Sequence, residues 1–478
     1  MFSRFSPLLF LPLLFIGEAI AAPPNEKEIT FTAQDGTSVE AYEGTFEVPE
    51  NRADPNSRTL TLGYVRFPAT TKTPGAPIVY LAGGPGGSGT GTAKGRRFPL
   101  FMALREQADV IAFDQRGTGL SDQFPGCISD TPEPVTAISD EAYIALTRTA
   151  FAECLAFWED EGIDIAGYNT IDSARDIDAL RAHLGTEKVS LWGISYGTHL
   201  ALAAMKEMPE RIDRAILASV EGLDQTVKMP ARTDAYYTRL QAAVLTQDKA
   251  AAAMPDIAGM MRRVLARLED EPVTLSIPLE NGSQEIIWTR RDMQRVNAGL
   301  VADPGSAAYL LGIYLAADQG DFSPLEGALA RYRRPEEMMR FNGMSSGMDI
   351  ASGIGAERLA AFEGQAKTAL NGQWHNFPMP QLASAARDLD LGDAFRQMPE
   401  NAIPTLVFSG TLDGRTFPES QREAVAGLSN AHIVTVVNAG HNLFMVSPEV
   451  GEVMARFLDG EDITTDEITV PLPDFLPY

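Results

Sequence analysis

Histidine and cysteine are scarce in this 478-residue chain, with five of the first and two of the second. Neither cysteine sits in a pattern for metal ligation or nucleophilic chemistry, so the sequence offers no zinc module and no cysteine catalyst. Bases are also in deficit: 39 lysines and arginines face 64 acids, for a formal charge of −25. Such a surface repels phosphate backbones. It argues against nucleic-acid partners and says nothing about fold. Internal repeats and long low-complexity tracts are missing. The N-terminal apolar stretch, Leu8 to Ile16, is interrupted by Pro12 and falls short of the roughly 18 residues that a bilayer requires, so no stable membrane anchor is expected. What remains is ordinary globular composition, 45% hydrophobic and 22% charged, with length for a large core and two or three domains.

The chain opens "MFSRFSPLLFLPLLFIGEAIAAPP". Arg4 supplies a thin positive region, an apolar stretch follows, and "AIAA" offers the small residues of a cleavage site. Residues 1–22 therefore read as a signal peptide, and the mature chain as secreted or periplasmic. No cysteine lies near the cleavage site to take a lipid. In an oxidising compartment the pair Cys127 and Cys154 is expected to form a disulfide, the other option being two buried free thiols.

The stretches "ITFTA", "VEAYEGTFEV" and "TLTLGYVRF" predict an early antiparallel region. The runs "PIVYLA", "DVIAFD", "KVSLWG", "DRAILAS", "PTLVFSG" and "HIVTVVN" are short and apolar, as strands buried on both faces are. Helical patterns such as "IDSARDIDALRAHLG" and "YGTHLALAAMKEMP" lie between them. The alternation predicts an α/β fold, a mostly parallel sheet flanked by helices. A mainly helical block interrupts it and reads as an inserted cap. The expected units are 23–223 (first part of the core), 224–403 (cap) and 404–478 (second part and tail). Within the cap, "FNGMSSGMDIASGIG" reads as a surface loop or a mobile lid edge with adaptable Met contacts.

"GISYG" places Ser195 in a G-x-S-x-G pattern between a strand and a helix. A turn this tight strains the serine backbone and exposes its hydroxyl as a nucleophile. The hydroxyl needs a base. Of the histidines, only His441, in "VVNAGHNLF", follows a strand on a loop able to reach over strand ends; His183, His199, His375 and His432 read as structural. Asp413, in "GTLDGRTFP", is the matching acid, giving the chain order Ser195, Asp413, His441. Asp114 is the rival acid, but it precedes the serine and opens a Gly-rich turn better read as structural.

"LAGGPGGSG", residues 81–89, fits G-x-G-x-x-G and could be a phosphate cradle or a backbone donor loop. A dinucleotide site needs a helix opening at the last glycine. "TGTAKGRRFP" follows Gly89 instead, and the first plausible helix is "LFMALREQA". Taken together, "GGPGGSG", "DQRGTGLSD", "GISYGT", "GTLDGRTFP" and "AGHN" resemble the α/β-hydrolase serine exopeptidases, in the branch of prolyl aminopeptidase and the exported tripeptidyl aminopeptidases. The similarity covers roughly residues 45–225 and 400–458 and does not extend visibly through the cap. Prolyl aminopeptidases usually carry His where this chain has Ala82, which tilts the resemblance toward the tripeptidyl branch.

The resemblance implies the α/β-hydrolase fold with Ser195, Asp413 and His441 as triad, and backbone N–H groups of Gly84 and Tyr196 as oxyanion hole. It also implies an acidic residue for the substrate α-amine, for which Glu221 in "ASVEGLDQ" is the candidate. The expected substrate is a short peptide, with a small ester or amide as the alternative. No metal and no cofactor is required. Oligomeric state is not legible.

Overall fold

The computed structural model describes residues 25–279, 282–329 and 337–476. The signal-peptide reading of residues 1–22 lies outside these.

The early antiparallel region consists of β1 (Glu26–Thr32), β2 (Ser38–Pro49) and β3 (Thr59–Phe67). Then come β4 (Ile78–Leu81), β5 (Val110–Phe113), β6 (Cys127–Pro132), β7 (Val189–Ile194) and β8 (Ile212–Ala218). The inserted block carries β9 (Val273–Leu279), β10 (Gly282–Trp288) and β11 (Met338–Phe341), and the chain ends with β12 (Thr405–Gly410), β13 (Ala431–Val437) and β14 (Glu467–Thr469). Ten of these strands form one sheet in the order β1-β2-β3-β5-β4-β7-β8-β12-β13-β14. From β5 to β14 every neighbouring pair is parallel. All residues of β4, β5, β7 and β12 are buried, as expected of strands covered on both faces. This is the α/β-hydrolase fold, and it brings the C-terminal ends of β4, β7, β8, β12 and β13 to one edge of the sheet.

Helix Thr170–His183 buries Ala174, Ile177 and Leu180, and the Asn169 side chain caps its start by accepting from the Asp172 N–H. The same helix turns Asp176 inward. Its carboxylate accepts from Arg116 Nε at 2.7 Å and Nη2 at 2.8 Å, and Arg116 is fully buried. The turn "DQRGTGLSD" is thus structural at two points, since Asp114 is buried as well.

Between β8 and β12 the inserted block builds its own core. Tyr236, Leu240, Trp288, Leu311 and Tyr314 pack together in it, joined by Leu412 and Phe417 from beyond β12. Strands contribute more to the block than expected. β9 and β10 pair as a hairpin, and β11 pairs with β6 of the first part. Segment 341–355 departs from both of its readings. It is neither surface loop nor lid edge but holds a helix, Gly343–Ser352, with Met344 and Met348 fully buried. Its composition favours loops. The Asn342 side chain caps it and the surrounding core supplies the contacts that propensity does not.

The cysteines are joined, Cys127 to Cys154, with Cα atoms 5.6 Å apart. The bridge fastens β6, and through it β11, to helix Asp140–Asp160. With a sequence separation of 27 residues, its removal costs about 3.5 kcal/mol on the chain-entropy model. The double variant Cys127→Ser, Cys154→Ser should lose that much in urea unfolding, and a change below about 1 kcal/mol would show that the loop is held by packing alone.

Candidate active site

Ser195 follows β7 on a turn leading directly into helix Tyr196–Glu207. Its backbone lies at φ 55°, ψ −129°, a conformation that costs a non-glycine residue about 1–3 kcal/mol. The turn is this tight because three backbones meet there. A Cβ on Gly197 would lie 2.0 Å from the Leu81 carbonyl oxygen, and one on Gly83 would lie 3.0 Å from the Ser195 Cβ. The Gly-rich loop after β4 therefore presses against the serine turn. The N–H groups of Gly84 and Tyr196 donate no hydrogen bond among the described residues. Gly84 and Ser195 line the same two cavities.

A short helix does open at Gly89, Gly89–Lys94, contrary to expectation. It forms because the Ser88 side chain caps it. Its N-terminus is already occupied by an anion of the protein itself. Asp114 Oδ1 accepts from Ser88 Oγ at 2.7 Å and Thr90 N at 3.1 Å; Oδ2 accepts from Thr90 Oγ1 at 2.5 Å and Leu120 N at 2.8 Å. The Asp114 carboxylate stands where a phosphate would have to bind.

Asp413 and His441 follow β12 and β13. His441 Nδ1 lies 3.2 and 3.1 Å from the two Asp413 oxygens. Asp413 also accepts from Arg415 N at 2.7 Å, Thr416 N at 3.0 Å, Thr416 Oγ1 at 2.6 Å and Gln421 Nε2 at 3.1 Å. Burial alone would raise this carboxyl, but the neighbouring His441 and the hydrogen bonds from His441 and Thr416 outweigh it and hold the group well below the usual carboxylate range. It stays ionised and accepts the Nδ1 proton, which leaves Nε2 free as a base. The His441 N–H bonds the Ala302 carbonyl at 2.8 Å, and Asn442 bonds Asp303, so the start of a cap helix holds the histidine loop. The Ser195 hydroxyl makes no hydrogen bond among the described residues. It shares with His441 a groove that Asn442 and Arg415 also line.

On the other side of Ser195 lies a cavity of about 400 Å³ beneath the cap. Glu221 reaches it from the loop after β8. Thr198 sets its position, donating to the Ser195 carbonyl at 2.6 Å and accepting from the Glu221 N–H at 2.8 Å. Glu221 does not stand free: Lys228 Nζ lies 2.5 Å from its Oε2. A second acid, Asp349 from the buried helix Gly343–Ser352, lines the same cavity and makes no side-chain hydrogen bond among the described residues. Burial and the charge of Glu221 push its carboxyl up to about 7, against the opposing Lys228 and Arg415. The rest of the lining mixes apolar side chains, Trp288, Val296, Trp374 and Phe377, with the charged groups of Glu133, Asp292 and Arg295.

The sequence reading missed Asp349, Lys228 and Arg415. Helical periodicity in "NGMSSGMDIASG" could have flagged Asp349 as an acid on an otherwise apolar helix. Lys228 and Arg415 carried no signal. Of the remaining histidines, His199 is a buried group bonded to the Gly222 carbonyl and Ser352, as expected. His375 lines the cavity, and burial first, then Arg415 and Lys228, drive it well below the usual histidine range, so it is neutral.

Fold and site together define a hydrolase with the α/β-hydrolase fold. Residues 76–283 match the alpha/beta hydrolase fold family and residues 385–467 match the TAP-like protein family. The chain is similar to Serine protease Hip1 of Mycobacterium tuberculosis, 33% identical over 184 residues (36% of this chain, 35% of that protein). It is also similar to a Tripeptidyl aminopeptidase of Streptomyces coelicolor, 29% identical over 196 residues (37% and 34%). The match thus spans about a third of the length of each of these relatives. Among the described residues no helix is long and apolar enough to cross a membrane.

The Asp349 shift has a consequence for stability. A carboxyl raised in the folded state binds its proton more tightly there than in the unfolded chain. Its contribution therefore falls as pH rises from about 4 to about 7 and stays unfavourable above. Asp349→Asn should melt at a higher temperature than the parent at pH about 8, with the difference fading toward pH about 4. Equal melting temperatures at both pH values would show that the carboxyl ionises without penalty.

Proposed function

We propose that the chain is an exported serine aminopeptidase that releases residues or short peptides from the N-terminus of peptide substrates. One observation carries the reading: two carboxylates, Glu221 and Asp349, line a cap-covered cavity directly beside Ser195. A substrate ammonium placed between them relieves their mutual repulsion and displaces or shares Lys228. A neutral ester would bring no charge to Asp349, whose carboxyl has no hydrogen-bonding partner among the described residues and is opposed only by Lys228 and Arg415. Likeness to a serine protease and a tripeptidyl aminopeptidase supports the peptidase reading. The disulfide supports an oxidising compartment, in keeping with the N-terminal sequence pattern.

In this reading Ser195 Oγ attacks the scissile carbonyl as His441 Nε2 takes its proton. Asp413 fixes the imidazole and stabilises its cation. The N–H groups of Gly84 and Tyr196 receive the developing oxyanion, worth about 3–4 kcal/mol for a well-placed donor. The C–N bond breaks as His441 returns the proton to the leaving amine. Water, deprotonated by the same imidazole, then attacks the acyl-enzyme and frees Ser195.

Ser195→Ala should lower kcat by about 10⁴-fold or more on a peptide anilide with a free N-terminus, and should abolish labelling by a fluorophosphonate. N-acetylation of the substrate should lower kcat/KM by about 100-fold, since it removes the cation that Glu221 and Asp349 would receive. Equal rates on the free and acetylated substrates would overturn the aminopeptidase reading.

A further inference from the structure

Ser195 stands between two cavities of different character. The cap-covered one carries both signs of charge, with acids that include Glu221 and Asp349 beside Lys228, Arg295 and Arg415. The second, of about 440 Å³, runs over Gly83 and Gly84 past His441 and Asn442, and it is lined by Arg96, Arg97 and Arg415. No carboxylate is paired with any of the three among the described residues. Among the described residues Arg96, which is exposed, makes no hydrogen bond. Arg97 is 9% exposed, donates to the Tyr80 hydroxyl, lies 5.5 and 5.4 Å from the Tyr80 and Phe444 ring centroids, and has a buried Nε with no partner among the described residues. Arg415 donates to the Ala298 carbonyl at 3.1 Å and lines both cavities. The lining of this groove thus includes three arginines and no acid, in a chain where acids outnumber bases 64 to 39.

The position of the base decides what this groove receives. His441 lines the second groove and not the cap-covered cavity. A leaving amine must take its proton from His441, so the departing half of the substrate lies on the arginine side. We propose that this groove is the leaving-group site and that it selects a leaving peptide bearing a carboxylate. The selected group is the C-terminal carboxylate of a short peptide, one or two residues past the scissile bond. Arg96 and Arg415 are the contacts, and Arg97 adds fixed positive potential behind them. The proposal rests on Ser195 being the nucleophile. It makes the protein selective at both ends of its substrate, for an ammonium on one side and a carboxylate on the other, which is the chemistry of short free peptides rather than chains within folded proteins.

The test compares matched peptides with a free C-terminal carboxylate and with a C-terminal amide, and, in a second arm, amidated peptides carrying Asp or Asn immediately after the scissile bond. The parent protein should favour the free acid over the amide by about tenfold in kcat/KM, less at high salt. The second arm should show a smaller preference; a larger one would assign the arginines to an acidic side chain and overturn the terminal-carboxylate assignment. Arg96→Ala should cut the acid-to-amide ratio several-fold and Arg96→Lys should restore part of it. Arg96 is exposed and holds no hydrogen bond or ion pair among the described residues, and fluorophosphonate labelling of Ser195 in each variant checks the site independently. A readout without turnover uses the same chemistry: a free dipeptide should slow that labelling more than its amide does. Labelling with no acid preference in either readout overturns the leaving-group proposal and leaves the hydrolase reading intact. Absence of labelling in the parent overturns both.

Discussion

A buried carboxylate that does no chemistry holds the site together. Asp114 accepts from Ser88, from the N–H and hydroxyl of Thr90, and from the Leu120 N–H. It thereby ties the Gly-rich loop after β4 to the turn after β5. A loop of glycines has high conformational entropy, and without such a tie the backbone donors at its tip would have to be ordered at each encounter with substrate. With it, Gly83 and Gly84 are fixed against the Ser195 turn before substrate arrives. The strain at Ser195 is held in the same way, by the helix behind it and the loop in front.

The second organising feature is the distribution of charge around the serine. Asp413 is kept ionised by four donors besides His441, which stabilises the imidazolium without competing for its proton. Asp349 is placed where burial and the charge of Glu221 penalise its ionisation, with Lys228, itself paired to Glu221, and Arg415 in opposition. A raised carboxyl in a desolvated cavity is costly to the empty protein, and under the proposed function that cost would be recovered when a substrate ammonium binds.

Much of this was legible in the chain. The nucleophile turn announces itself because only small neighbours permit it, and the order of serine, acid and histidine follows from strands whose apolar runs are easy to read. The proximity of the Gly-rich loop to Ser195 was implied by the resemblance to the α/β-hydrolase exopeptidases rather than by the residues of the loop. The reading went astray where local propensity and tertiary contact disagree. The helix Gly343–Ser352 is rich in Gly, Ser and Met, poor helix formers apart from Met, yet it is helical because Met344 and Met348 fill the core. Asp349 was hidden with it. The helix at Gly89 was missed because six residues and a serine cap carry little periodic signal. Arg96, Arg97 and Arg415 could not be associated, since their grouping arises only when the acid loop after β12 folds beside the loop after β4.

That buried helix has a consequence for how the cap can behave. The Tyr196 hydroxyl lies 3.1 Å from Met348 Sδ, and His199 Nε2 lies 3.0 Å from Ser352 Oγ, so residues immediately behind the nucleophile pack on a segment of the insertion. The cap is therefore not a detachable module laid over a self-sufficient enzyme. An ancestor lacking it would have needed a different interior behind its serine, and a chain from which it is excised would lose part of its own core along with its roof.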